Sequence, residues 1–151
     1  MVCKKNLKEE STSTASAEAA AAAGTSQELV QDAVGHFILS TREDLDRVFE
    51  SAKHCMMANG IVVVEFTASW CTSCRKFSSS FDRLVKELES TYLCIVDVDA
   101  SPELAEANGV SALPHFAIYR NGVLWDALVG GRQTVLRQKV LCAVEGKKYK
   151  V

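Results

Sequence analysis

The chain has 151 residues, 48% of them hydrophobic, and a formal net charge of −2 at pH 7. That is apolar material enough for one core, and the charge gives no footprint for nucleic-acid binding. No apolar run approaches the ~18 residues of a membrane span. The six cysteines lack the dense spacing of a small secreted scaffold, so a reducing, cytoplasmic setting is expected.

In chain order, residues 1–27 read as a disordered Ser/Ala-rich tail, 28–146 as one folded domain and 147–151 as a basic, solvated C-terminal tail. Lys4, Lys5 and Lys8 precede the Ser/Thr/Ala stretch, but no apolar segment follows as a secretory signal needs. An organellar transit peptide is the alternative. Ser and Ala suit it, whereas Glu9, Glu10, Glu18 and the lack of arginine do not. Val2 excludes N-myristoylation, and Cys3 is read as a plain tail cysteine.

His36 to Leu39 predicts a short strand. Ser40 then reads as the N-cap of a helix with Glu43 closing a capping box, and Leu45, Val48, Phe49 and Ala52 mark its apolar face. Cys55, Met56 and Met57 read as packing residues. Asn59-Gly60 ends the unit. The β-branched run Ile61-Val62-Val63-Val64 predicts a strand buried on both faces. A small-residue turn leads to Trp70-Cys71-Thr72-Ser73-Cys74, and Phe77, Phe81, Leu84, Val85 and Leu88 continue with helical spacing. Tyr92 to Val98 is a further strand. Ser101 and Pro102 start a short helix, and Asn108-Gly109 stops it. Phe116 to Tyr119 and Val123 to Val129 form a hairpin about Asn121-Gly122, and Arg132 to Val144 is the last helix.

Two cysteines three apart therefore stand where a buried strand ends and a helix begins. Unpaired N–H groups and the positive end of the helix dipole favour a thiolate there. A second thiol one turn on can reach the first and resolve its mixed disulfides. The same spacing is half of a zinc site, but neither Cys55, Cys94 and Cys142 nor His36, His54 and His115 supply the other half. No metal or other cofactor is expected.

The segment Glu65 to Cys74, EFTASWCTSC, resembles the active site of the thioredoxin family. CIVDVDA, GVSALPHF and YRNGVLWDALVGG resemble the segments that follow it there, and the resemblance spans about residues 37–144. It implies an α/β thioredoxin fold, a central mixed sheet flanked by helices on both faces. It implies an enzyme, a protein-disulfide reductase working through a Cys71–Cys74 dithiol/disulfide. By resemblance, Cys71 attacks and Cys74 resolves. Trp70 flanks the site, Leu113 pairs with an extended substrate peptide beside a cis-Pro114, and Gly130 and Gly131 flank the same groove. Glu65 takes the place of a buried aspartate beneath the resolving cysteine. The implied partners are disulfide-containing proteins and, as electron donor, thioredoxin reductase or a glutathione system. A glutathione-linked oxidoreductase, or a binding module of the same fold without turnover, stays open as an alternative.

The chain departs from the family pattern at five places. Thr72-Ser73 replaces Gly-Pro between the cysteines, and Ser79 replaces a helix proline. Glu65 stands for aspartate, Ile95 for a neighbouring charged residue, and His115 for a threonine. Glu65 interrupts an apolar strand, so its pKa is expected to be raised by desolvation, as suits a proton acceptor.

Overall fold

The computed structural model describes residues 28–150. The readings of the Ser/Ala-rich segment and of Cys3 fall outside them. Among the described residues the elements are β1 (Val30–Gln31), β2 (Phe37–Ile38), α1 (Arg42–His54), β3 (Ile61–Thr67), α2 (Thr72–Glu87), β4 (Tyr92–Asp97), α3 (Pro102–Ala107), β5 (His115–Arg120), β6 (Val123–Val129) and α4 (Gln133–Val144). The expected order is present, preceded by β1, a two-residue strand that the sequence reading missed.

The strands form one sheet in the order β1-β2-β4-β3-β5-β6. β3 pairs parallel with β4 and antiparallel with β5, and β6 closes the hairpin with β5. A mixed sheet with β3 at its centre results. Every residue of β3 from Ile61 to Phe66 is buried, as a β-branched run covered on both sides requires. Alternate residues serve two cores. Val62, Val64 and Phe66 pack with Leu45, Val48 and Phe49 of α1 and Leu104 of α3. Ile61 and Val63 pack with Phe77, Phe81 and Leu84 of α2 and Leu136 and Val140 of α4. Helices therefore cover both faces of the sheet.

Three local expectations are corrected. The N-cap of α1 is Thr41, not Ser40. Its hydroxyl accepts from the Asp44 N–H at 3.1 Å, and the Asp44 carboxylate accepts in turn from the N–H groups of Ser40 and Thr41. Asp44, rather than Glu43, is thus the partner in the box. Met56 and Met57 are not core residues: they are 93% and 57% exposed, in the turn between α1 and β3, where Ala58 takes the buried position. The C-terminal residues are not wholly solvated. The Trp125 indole N–H donates to the Lys147 carbonyl at 3.2 Å, and the Lys148 ammonium lies 4.2 Å from the Trp125 ring centroid. At Ser101 the expected position holds but the hydroxyl does not cap; it donates to the Ser40 carbonyl at 2.8 Å.

Candidate active site

β3 delivers the chain into a tight turn in which the Cys71 N–H donates to the Ala68 carbonyl at 3.1 Å. Cys71 is the N-cap of α2. Its backbone is extended, and its Sγ accepts the Cys74 N–H at 3.1 Å. A sulfur thus takes the place usually held by a capping hydroxyl or carboxylate, against the N–H groups that the first helical turn leaves open. Cys71 and Cys74 are joined as a disulfide with their Cα atoms 5.3 Å apart. Both are buried, in a small cluster with Ala68 against which Val98 and Leu113 pack.

The surroundings of this disulfide assemble from distant parts of the chain. The Leu113–Pro114 peptide bond is cis. The Pro114 carbonyl accepts from the Gly130 N–H at 2.8 Å, which ties the end of β6 to the same spot. Trp70 is 64% exposed, and its indole N–H donates to Asp99 at 2.8 Å. A groove of about 480 Å³ runs beside them, lined by Trp70, Cys71, Thr72, Val98, Ala112 and Leu113 among others. Cys71 is part of its wall; Cys74 is not. The Arg75 guanidinium folds back to the Ser69 carbonyl at 3.3 Å and the Thr72 hydroxyl at 3.4 Å, which adds positive charge at the helix start.

A family model for thioredoxin matches residues 44–141. The chain belongs to the thioredoxin family. It is 34% identical over 103 residues to a thioredoxin of Geodia cydonium, covering 68% of this chain and 92% of that one. It is 40% identical over 80 residues to an H-type thioredoxin of Chlamydomonas reinhardtii, covering 52% and 71%. Among solved structures, Fasciola hepatica thioredoxin superposes with a TM-score of 0.63 at 30% identity, covering 69% of this chain and 95% of that one. With the Cys71–Cys74 pair at disulfide distance, the protein is a thiol–disulfide oxidoreductase, an enzyme whose redox group is its own dithiol. Among the described residues no group of three or more His, Cys, Asp or Glu side chains gathers as a metal ion would need, and no helix is long and apolar enough to cross a membrane.

Glu65 is 4% exposed and sits between Ile95 of β4 and Phe116 of β5. Burial, and next the negative charge of Asp82, push its carboxyl up to about 8. The influence of the Asp82 charge was not foreseen. Gly130 has φ +96° and open space where a Cβ would stand. Gly131 differs: a Cβ there would lie 3.0 Å from Cδ2 of Phe77, so the missing side chain admits α2 rather than the groove. His115 is 7% exposed, meets Phe66 edge-on, and its Nδ1 has no hydrogen-bond partner among the described residues. Burial lowers its pKa by disfavouring the charged ring. α2 runs unbroken through Ser79. Asp99, Asp82 and the apolar groove wall went unrecognised in the sequence. Asp82 alone left a trace there, a carboxyl next to Phe81 on the buried stripe of α2.

Proposed function

We propose that this oxidoreductase acts on protein substrates in the reducing direction, with Cys71 as nucleophile, Cys74 as resolving thiol and Glu65 as the base that serves Cys74. The carrying observation is the buried disulfide at the start of α2 with only its Cys71 half in the wall of the groove. An extended peptide lies along Leu113 and cis-Pro114 in this reading, bounded by Trp70 and by the loop at Gly130. The Cys71 thiolate attacks one substrate sulfur and expels the other as thiolate. Cys74 then loses its proton to the Glu65 carboxylate and attacks Cys71 Sγ. The second substrate sulfur leaves as thiolate, and the Cys71–Cys74 disulfide remains. The substrate gains two electrons and the enzyme loses them.

The enzyme is returned to the dithiol by a disulfide reductase such as thioredoxin reductase or by a glutathione system. No other cofactor enters the cycle. Residues 28–146 carry the chemistry, and the setting is the cytoplasm unless residues 1–27 direct the chain to an organelle, which fluorescence microscopy of tagged full-length and truncated chains decides. The possession of both cysteines in one disulfide favours turnover over a binding module, since release of substrate requires the second thiol. Insulin-disulfide reduction, driven in parallel by NADPH with thioredoxin reductase and by glutathione with its reductase, tests the reading. Catalytic turnover with either donor is expected. Stoichiometric binding without turnover under both would establish the binding module instead.

A further inference from the structure

The exposed charges around the groove at Cys71 separate by sign. Arg75, Lys76, Arg83 and Lys86 of α2 are exposed, and none forms a salt bridge among the described residues. Lys76, Arg83 and Lys86 recur at helical spacing and make one outward stripe that starts just beyond Cys74. Arg132, exposed and equally unpaired, joins them from the loop before α4. A Cβ on its neighbour Gly131 would lie 3.0 Å from Phe77, which sets this loop against the first turns of α2. The acids on this side are Asp82, 3.7 Å from His36, Glu87, paired with Arg137, and Glu89 beyond the helix end.

The other side of the groove is acidic. Asp97 ends β4, Asp99 follows it, and Glu103 and Glu106 stand on α3; all four are exposed and without a salt bridge among the described residues. They alternate with the groove wall: Val98 between Asp97 and Asp99, and Ala105 between Glu103 and Glu106, line it. Asp99 marks the rim, since it accepts the Trp70 indole N–H. Glu43 of α1 lines an adjoining hollow with Glu103, where Arg42 is already paired with Asp46. Each side also carries like charges three apart on one helix, Arg83 with Lys86 and Glu103 with Glu106. Such pairs weaken a helix rather than support it, so the fold does not account for them.

We propose that these two charged margins select the substrate: a disulfide-bearing polypeptide with acidic residues on the side of its cysteine that meets α2 and Arg132, and basic residues on the side that meets Asp99 and α3. The inference rests on the reading that Cys71 attacks peptide disulfides from this groove. The bonds made and broken stay the same. The charges steer the approach and fix the orientation in which the substrate sulfur reaches Cys71. A uniformly acidic or uniformly basic segment loses on one margin what it gains on the other.

Three symmetric disulfide-linked peptides test this by stopped-flow oxidation of the reduced full-length protein. One has glutamates before its cysteine and lysines after it, the second has the same residues in reverse order, and the third has serine and glutamine there. The first two have equal net charge, so only arrangement separates them. At about 10 mM salt one order is expected to react on the order of 10-fold faster than the other. The two should converge at about 1 M, where the screening length is ~3 Å. In Arg83→Glu/Arg132→Glu/Glu103→Lys/Glu106→Lys the preference should reverse while the neutral peptide is still reduced. Arg83→Glu/Arg132→Glu and Glu103→Lys/Glu106→Lys should each flatten it, and they decide the matter where the fourfold change disturbs folding. Equal rates for both orders at low salt, or a preference that survives the charge changes, overturn the selection; reduction of the neutral peptide then leaves the oxidoreductase reading standing. A wild type that reduces none of the three overturns that reading and the selection with it.

Discussion

Glu65 is a carboxyl in a strand that is otherwise apolar on both faces, and its protonation is written into the stability of the fold. An ordinary glutamate in the unfolded chain titrates near 4.5; this one does so at about 8. Its contribution to stability is therefore complete below about 4.5 and lost as the pH rises through about 8. Glu65→Gln should change stability little at about pH 5 and gain on wild type toward about pH 9, by up to a few kcal/mol. Urea unfolding of both proteins at the two pH values checks this; parallel pH dependence would mean the carboxyl is solvated. The same variant should slow resolution of the mixed disulfide on the order of 10²-fold while leaving alkylation of Cys71 nearly unchanged. Cys71 itself, as N-cap beside Arg75 and in the groove wall, should be alkylated ahead of Cys74 in the reduced protein. Site-resolved mass spectrometry of alkylation against pH reads the order, and faster reaction at Cys74 would reverse the assignment.

Among the elements, α1 and α2 illustrate how far a local pattern carries. The sequence Ser40-Thr41-Arg42-Glu43-Asp44 offers two overlapping capping boxes, and pattern alone cannot choose between them. The choice falls to hydrogen bonds: the Thr41 hydroxyl meets the Asp44 N–H. Thr41→Ala is accordingly expected to cost about 1 kcal/mol and Ser40→Ala only a few tenths, as thermal unfolding will read. At the start of α4 the pair Gly130-Gly131 separates into two roles. Gly131→Ala should destabilise by pushing on Phe77, so a Phe77→Leu background should reduce the loss. Gly130→Ala should cost about 1–2 kcal/mol through its left-handed backbone alone, with no relief from that background. β1 escaped the sequence because two residues, with Val30 exposed, carry no periodicity; pairing with β2 creates it.

For the molecule as a whole, the order of elements, the mixed sheet with helices on both faces and the position of the cysteine pair were legible because β3 is an apolar run and the helices have one apolar stripe each. What stayed hidden depends on contacts across the chain: Asp99 reaching Trp70, Asp82 reaching His36, and the C-terminal residues meeting Trp125. Met56 and Met57 misled for the opposite reason, since hydrophobic character does not by itself place a turn residue inside. Trp125 lies between Arg120, 5.3 Å from its centroid, and Lys148. Removing residues 147–151 should therefore lower stability by about 1–2 kcal/mol without reducing turnover at the far end of the sheet; an unchanged urea midpoint would show those contacts to be idle. The central claim is that Cys71 attacks substrate and Cys74 releases it. Its most direct test is a single turnover of Cys74→Ser with a peptide disulfide, read by intact-mass and fragment spectrometry. The account predicts a stable one-to-one adduct through Cys71, absent in Cys71→Ser and short-lived in wild type. A stable adduct on any other cysteine, or none at all, would contradict it.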